Sequence, residues 1–284
     1  MDQLKVGFVG LGDMGGAMAQ RLIDQGFETT LWARRDASLD PFDPARFTRA
    51  ATPAELGARS DVVGVCVFGD EDVRSVLLGR EGVLAGMAPA GVVLIHATVT
   101  VGVCEAVAAA AVGRCVAVLD VPVSGARAAA VEGSLTLMVG GDATAMAKAM
   151  PVLRALGRVI RHMGPLGSGQ KMKALNNVTG FCNGQIACLA IEAGAQLGLE
   201  PIAVMDVLRS GGAGSFAIES IITRLLPDPA FRRHAASMIE KDTGLFRGYC
   251  REAGLAPSLI EQLAEDRIAH IVPALPAPTA RSSI

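Results

Sequence analysis

The sequence predicts an α/β fold in which a doubly wound parallel sheet is followed by an all-helical C-terminal domain. Three observations support this prediction: short apolar runs bounded by Gly, Pro and Asp, helical segments that alternate with those runs, and the loss of strand-like segments after about residue 169. Strands buried on both faces are continuous apolar runs, and their alternation with helices is typical of a parallel sheet covered on each side.

The N-terminal half alternates strands and helices in a regular order. Strands are predicted at 4–9, 28–33, 62–68, 91–97 and 117–123, and helices at 14–25, 70–86, 101–112 and 142–156. The first strand, helix and second strand together form one βαβ unit, which the following segments repeat.

The C-terminal half predicts helices only. A long, largely apolar helix at 172–197 precedes helices at 200–209, 216–226, 232–253 and 257–270. The segment 157–168 is rich in Gly and contains Pro165, so we expect the domain boundary there, with domains of 1–163 and 164–284. The tail 273–284 is rich in Pro, Ala and Ser, which predicts disorder.

Composition excludes several classes of partner. The 284 residues include 26 basic and 28 acidic side chains without long runs, which argues against nucleic acid or an anionic membrane as a ligand. No apolar stretch reaches the roughly 20 residues of a membrane-spanning helix. No secretory signal is evident at the N-terminus, so we expect a soluble, cytoplasmic protein. The six cysteines lack metal or disulfide spacing, which predicts reduced core residues and no bound metal.

A glycine-rich motif follows the first predicted strand. Gly10, Gly12 and Gly15 form G-x-G-x-x-G between a strand and a helix, with Leu11, Asp13 and Met14 as the intervening residues. In this context the motif predicts a dinucleotide site of the Rossmann type, with the pyrophosphate on the helix N-terminus. A lone motif of this kind would be as well explained by a glycine-rich turn.

Two arginines at the end of the second strand indicate NADP rather than NAD. An NAD site usually has an acidic residue there, whereas this chain has Arg34 and Arg35, and a guanidinium matches a 2′-phosphate. The alternative is that both arginines are solvated and that Asp36 holds the ribose.

Two further segments suggest substrate chemistry. Ser124, Gly125 and Ala126 follow a predicted strand, where a hydroxyl and successive N–H groups are suited to hold a carboxylate, although as an isolated feature they would be only a polar turn. Lys173 and Asn177 are four residues apart on one face of the long helix. A partly desolvated lysine can take up or return the hydroxyl proton during hydride transfer. Without other evidence a helical lysine is usually a solvated surface residue, and Lys171, two positions earlier, fits that interpretation better.

Nearly the whole chain resembles the β-hydroxyacid dehydrogenase family. This family includes 3-hydroxyisobutyrate dehydrogenase, tartronate semialdehyde reductase and glyoxylate/succinic semialdehyde reductase, and it is related to 6-phosphogluconate dehydrogenase. Four blocks match in family order: GFVGLGDMGGAMAQRL, DVPVSGARAAAVEG, GSGQKMKALNN and IEKDTGLF.

The resemblance implies a role for each block. Lys173 would be the general acid/base, Asn177 and Ser124 would contact a small carboxylate substrate, and Lys241 with Asp242 would complete the cleft, from this subunit or a partner. Thr98 and Lys241 are also expected to contact the cofactor. The family further implies a homodimer or homotetramer built around the long helix.

The chain departs from the family pattern at three places. Ala126 replaces the last Gly of Ser-Gly-Gly, and alanine would be strained if that position requires positive φ. Residues 95–98 read Ile-His-Ala-Thr rather than Asp-x-Ser-Thr, and we expect His96 to be structural unless it contacts cofactor or substrate. Ala33 stands where an Asn is usual.

Two rival functions remain. Imine reductases share this architecture and cofactor motif but generally lack the catalytic lysine, so Lys173 favours an alcohol or aldehyde substrate. A protein that binds nucleotide without catalysis would be expected to have lost the Lys173–Asn177 pair, which this chain retains.

Overall fold

A computed structural model describes residues 4–220, 229–256 and 258–271. Within these ranges the strands are β1 (Lys5–Val9), β2 (Glu28–Trp32), β3 (Thr48–Arg49), β4 (Val62–Val65), β5 (Val92–Ile95), β6 (Ala117–Asp120), β7 (Val123–Ser124), β8 (Leu135–Gly140) and β9 (Gly157–Gly164). The α-helices are α1 (Asp13–Asp24), α2 (Pro53–Ala58), α3 (Asp70–Leu78), α4 (Val83–Gly86), α5 (Val101–Val112), α6 (Ala126–Glu132), α7 (Ala143–Leu156), α8 (Ser168–Gln196), α9 (Pro201–Ser210), α10 (Phe216–Ser220), α11 (Pro229–Glu252) and α12 (Leu259–Ile271).

All nine strands belong to one sheet, in the order β3-β2-β1-β4-β5-β6-β8-β7, with β9 paired to β8. The six strands from β3 to β6 are parallel and have the strand order of a Rossmann fold. β8 runs antiparallel to β6 and β7. The strand order reverses between β1 and β4, and ligands of open α/β sheets bind at such a point, outside the carboxyl ends of the strands.

The sheet has a hydrophobic core on each face. Phe8 and Leu94 pack in one cluster with Met18 and Leu22 of α1, while Ile95 belongs to the other cluster. Neighbouring residues such as Leu94 and Ile95 belong to different cores because successive side chains of a strand point to opposite faces of the sheet. Since both faces are buried, these strands are continuous apolar runs in the sequence. The predicted α/β fold class is confirmed.

The chain divides into two compact units, Met1–Lys173 and Ala174–Ile284, and the division falls within α8. In the second unit, Cys188 of α8 packs with Ile218 of α10 and Ile239 of α11, and Val178 packs with Ala264 of α12. The described residues of this unit are helical and form no strand.

Several predicted elements differ from the structure. The segment 157–168, where the domain boundary is predicted, contains β9, and β3, β7, β8, α2 and α6 were not predicted. The helix expected at 70–86 is interrupted between Leu78 and Val83 by the segment containing Gly79 and Gly82. The observed strands β4, β5 and β6 end two or three residues before their predicted ends.

Two predicted segments extend beyond the described residues. The expected helix at 216–226 is described to Ser220, and 221–226 lie outside the described part of the chain, as does the tail 273–284. None of the described helices is both long enough and apolar enough to span a membrane.

Candidate active site

The glycine-rich turn connects β1 to α1 at the carboxyl edge of the sheet. A Cβ atom on Gly10, which has φ +90°, would overlap the main-chain oxygen of Cys66, and one on Gly15 would overlap that of Gly10. Both positions therefore require glycine because backbone segments pack against them.

Gly12 has a different environment. No described atom lies within 4 Å of the position its Cβ would take, and as the N-cap of α1 it offers no side chain to the first N–H groups of the helix. Protein packing therefore does not explain this glycine. The open space at the N-terminus of α1 fits a pyrophosphate, which binds such N–H groups.

Arg34 and Arg35 follow β2 at the same edge, and both are exposed. Arg34 Nη1 lies 3.5 Å from Asp72 Oδ1. The Asp36 carboxylate accepts a 2.7 Å hydrogen bond from Arg49 Nη2. Asp36, the alternative ribose ligand, is thus already paired with a cation.

Asp120, at the end of β6, holds the start of α8 on the sheet. Its two carboxylate oxygens accept hydrogen bonds of 2.7 Å from the main-chain N–H groups of Gly167 and Gln170. A Cβ on Gly140 or Gly169 would overlap Asp120 or the backbone beside it, so these glycines make room for the buried carboxylate. Burial raises the pKa of Asp120, and the backbone hydrogen bonds oppose that shift.

The buried Gln170 side chain adds a second anchor. Its Oε1 accepts from the N–H of Val99 at 3.1 Å, and its Nε2 donates to the carbonyl of Ala97 at 2.8 Å. These bonds tie the first turn of α8 to the end of β5. Sequence reasoning missed both Asp120 and Gln170; an aspartate closing an apolar strand was the available signal.

Lys173 follows Gln170 by three residues and is half-buried, whereas Lys171 is exposed, as predicted. Desolvation raises the pKa of the Cys66 thiol to about 12, and the nearby Lys173 ammonium opposes this shift. Cys66 borders the glycine-rich turn at Gly10 and Gly15, so the charge of Lys173 acts on a residue that packs against this turn.

Asn177 lies one helical turn after Lys173 and contacts Asp242. Its Nδ2 donates to Asp242 Oδ2 at 2.7 Å, and Lys241 Nζ donates to Asp242 Oδ1 at 2.7 Å. Asp242 is only 6% exposed, so the pair is not the ordinary surface ion pair that its sequence alone suggests. The contact lies within one chain, so no partner subunit is needed to bring Asp242 to Asn177.

Ser124 ends β7, and the chain turns sharply after it. Gly125 has φ +136° and Ala126 has φ +59°, after which α6 begins. Ala126 therefore adopts the positive φ that the family's glycine would adopt without strain, at a cost of about 1–2 kcal/mol.

His96 is structural, and the possible contact with cofactor or substrate is not supported. The side chain is 3% exposed, its Nδ1 lies 2.9 Å from the carbonyl oxygen of Val121, and its ring stacks on Phe8. Its Nε2 has no hydrogen-bond partner among the described residues. Burial lowers the pKa of His96 to about 4, so the imidazole is neutral at physiological pH. Thr98 follows β5 and is half-buried.

The cysteines are free thiols, but they are not all core residues. Cys104, Cys182 and Cys188 are buried, whereas Cys115 is exposed, contrary to expectation. Cys115 lies in the turn before β6 with φ +53°, so its position is set by the turn rather than by apolar packing.

Comparisons with known proteins match both halves of the chain. Residues 5–164 match the NAD-binding domain of 6-phosphogluconate dehydrogenase, and residues 167–272 match the NAD-binding domain of NADP-dependent 3-hydroxyisobutyrate dehydrogenase.

Individual relatives agree with these matches. An L-threonate dehydrogenase of Cupriavidus necator is 34% identical, covering 84% of this chain and 81% of the relative. An NAD-dependent L-serine dehydrogenase of Pseudomonas aeruginosa is 35% identical, covering 76% and 72%. The solved structure of 3-hydroxyisobutyrate dehydrogenase from Mycobacterium tuberculosis with L-serine has a TM-score of 0.79 at 27% identity, covering 95% and 94% of the two chains.

The carboxylate of Asp120 is expected to be required for stability. Asp120→Asn places an N–H group where an acceptor is needed, and we expect the free energy of unfolding to fall by about 1–3 kcal/mol in urea titrations. Asp61→Asn is the matched control, because Asp61 accepts a main-chain N–H of Lys5 at the surface. An equal loss in both variants would contradict the anchoring role of Asp120.

His96 is expected to make stability depend on pH. Between about pH 6.5 and 4 the unfolded chain binds a proton at this histidine and the folded chain does not, so stability falls as the pH falls. The expected loss is about 2 kcal/mol from pH 7 to 5. His96→Leu should remove this contribution in urea unfolding at both pH values, with His162→Leu, at an exposed histidine, as control. An unchanged slope in His96→Leu would refute the assignment.

Proposed function

Because the chain belongs to the β-hydroxyacid dehydrogenase family and is an NAD(P)-dependent oxidoreductase acting on CH–OH groups, we propose that it interconverts a small 3-hydroxy acid and its semialdehyde, with NADP(H) preferred. The proposed substrates are of the 3-hydroxyisobutyrate, tartronate semialdehyde, glyoxylate or succinic semialdehyde type. The observation that carries the proposal is that Lys173 follows a helix start hydrogen-bonded to the sheet edge, and that its charge acts on Cys66, which packs against the glycine-rich turn.

The cofactor would be held by the backbone from Gly10 to Gly15, including Leu11, Asp13 and Met14, with Thr98 nearby at the same sheet edge. When bound, the nicotinamide supplies the hydride acceptor or donor. The protein's own part is then to orient the substrate and to move the hydroxyl proton.

Lys173 is proposed as the general acid/base. In the oxidation direction, its amine takes the proton from the substrate hydroxyl, and in reduction its ammonium returns that proton to the carbonyl oxygen. The half-buried position of Lys173 suits this role, because the amine is partly sheltered from solvent and still accessible to a small substrate.

Asn177 is proposed to contact the same substrate oxygen. Its amide is oriented by Asp242, which leaves the second hydrogen of Nδ2 for the substrate. Lys241 pairs with that aspartate, and we retain both residues in the proposed set of substrate contacts, with Lys241 also a proposed cofactor contact.

Ser124, Gly125 and Ala126 are proposed to hold the substrate carboxylate through the serine hydroxyl and main-chain N–H groups. A small acid is consistent with the names of the relatives, since L-serine and L-threonate each carry a carboxylate and a hydroxyl on C3.

The preference for NADP rests on Arg34 and Arg35. Both follow β2 at the sheet edge of the nucleotide-binding turn and are exposed, and a guanidinium is a good partner for a 2′-phosphate. The pairing of Asp36 with Arg49 further supports the preference, because it engages the acidic residue that would otherwise hold a ribose.

The rival functions predict different behaviour. An imine reductase would not depend on Lys173, and a nucleotide-binding protein without catalysis would show no turnover on any substrate. Retention of both Lys173 and Asn177 favours the dehydrogenase.

We also propose that the chain forms a homodimer or homotetramer in which the helical unit forms the interface. Ile186 and Leu189 of α8 and Val207 of α9 are large apolar side chains that are 42–71% exposed, and such surfaces favour burial against another copy.

Lys173→Ala is expected to lower kcat/KM by about 10²–10⁴-fold, because the proton acceptor is lost. NADPH binding, measured by fluorescence titration, should stay close to that of the wild type. Turnover is followed by NADPH absorbance with 3-hydroxyisobutyrate, L-serine, glyoxylate, succinic semialdehyde, tartronate semialdehyde and a cyclic imine.

Lys171→Ala, at an exposed lysine two residues earlier on the same helix, is the matched control and should keep its activity. Turnover of Lys173→Ala within a few-fold of wild type, or imine reduction that persists in it, would refute the proposed role.

Arg34→Ala is expected to weaken NADPH binding by about tenfold or more and NADH binding little, because the lost guanidinium contacts a 2′-phosphate that NADH lacks. Dissociation constants from fluorescence titration test this. Asp36→Asn should change neither constant; if it weakened NADH binding, or if Arg34→Ala affected both cofactors equally, the NADP assignment would fail.

A further inference from the structure

We propose that Arg127 is a positioning residue for the pyrophosphate of the cofactor, because it neutralises an aspartate that lies in the nucleotide-binding turn. Arg127 Nη1 donates to the main-chain oxygen of Asp13 at 2.9 Å and lies 3.4 Å from its Oδ1. The inference rests on the proposed function in one respect: NAD(P) must bind at Gly10–Gly15.

Asp13 places a negative charge where the cofactor's phosphates would bind. It is the first residue of α1, directly after Gly12, and its side chain is 63% exposed. A carboxylate at a helix N-terminus stabilises the helix itself. The same N-terminus is the expected pyrophosphate site, so an uncompensated Asp13 would repel the cofactor.

Arg127 reaches Asp13 from the substrate segment. The turn at Gly125 and Ala126, both with positive φ, ends β7 and starts α6, and α6 packs against α1 within the N-terminal unit. Arg127 is the second residue of α6, so its guanidinium lies beside the first turn of α1. The positive φ of Ala126 is thus part of the turn that brings this cation to the nucleotide site.

Two bonds from one guanidinium nitrogen also fix where the charge lies. The bond to the Asp13 carbonyl holds Arg127 on the backbone of the turn, and the second contact places its charge on the carboxylate. An exposed ion pair of this kind contributes little to folding stability. We therefore expect the Arg127–Asp13 pair to affect anion binding rather than folding, because an unneutralised Asp13 carboxylate would repel the phosphates of the ligand directly.

A double-mutant cycle on the purified full chain tests the proposal, with dissociation constants for NADPH and NADH from fluorescence titration. Arg127→Ala should weaken both dinucleotides equally, by about three- to tenfold, because both carry the pyrophosphate. Asp13→Asn, which removes the repelling carboxylate and keeps the Arg127 cation, should bind both dinucleotides more tightly than wild type. The double variant should return to within about twofold of wild type, since neither charge remains. The loss in Arg127→Ala should shrink as salt is added.

Arg154→Ala removes a cation from the exposed surface of α7 in the same unit and should leave both dissociation constants unchanged. Adenosine, which has no phosphate, should bind wild type and Arg127→Ala equally. Wild-type affinity in Arg127→Ala, or a double variant as weak as Arg127→Ala, would overturn the proposal, the latter showing that Arg127 acts as a structural tether. A wild-type chain that binds neither dinucleotide would instead refute the proposed function. If the wild-type chain bound NADPH and NADH with equal affinity, only the proposed preference for NADP would be refuted.

Discussion

The carboxylate of Asp120 fixes the geometry on which the candidate site depends. It lies at the end of a central strand, accepts two backbone hydrogen bonds from the start of α8, and is completely buried. Together with Gln170 it sets the position at which the long helix leaves the sheet edge. Lys173 follows one turn later on the same helix, so its position is determined by backbone contacts to the sheet edge rather than by a loop.

Burying this carboxylate requires compensation from the surrounding structure. The N–H groups at a helix N-terminus carry partial positive charge, so they are suitable partners for an anion taken out of water. Gly140 and Gly169 are part of the same arrangement, because a side chain at either position would displace the carboxylate or its backbone neighbours. A substitution at the strand end, at either glycine or at the helix start would therefore disturb the other parts of this arrangement.

Sequence reasoning predicted the features that depend on local patterns. Apolar runs identify β1, β4, β5 and β6 because these strands are buried on both faces, and the glycine spacing identifies the nucleotide-binding turn. β9 was missed because Arg158, Arg161 and His162 make it polar, as is common for a strand at the edge of a sheet. The sequence also indicated strain at Ala126 if that position required positive φ, and Ala126 does adopt positive φ.

The contacts that organise the site could not be predicted in the same way. Asp120 and Gln170 have partners 47 to 73 residues away, and Asn177 meets Asp242 across 65 residues. Nothing in a local pattern specifies which polar groups such residues will meet. Family resemblance indicated the block that contains Asp242, but neither its burial nor its bond to Asn177.

The desolvated Cys66 beside Lys173 has a consequence for chemical selectivity. With a pKa of about 12, only about one thiol in 10⁵ is ionised at neutral pH, and the thiolate is the reactive form. Aldehydes are electrophiles that thiolates attack to form hemithioacetals. In the proposed reaction, an aldehyde near Lys173 would meet an amine able to exchange a proton and a sulfur atom that is almost entirely protonated, so a self-inactivating side reaction would be suppressed without removing the cysteine.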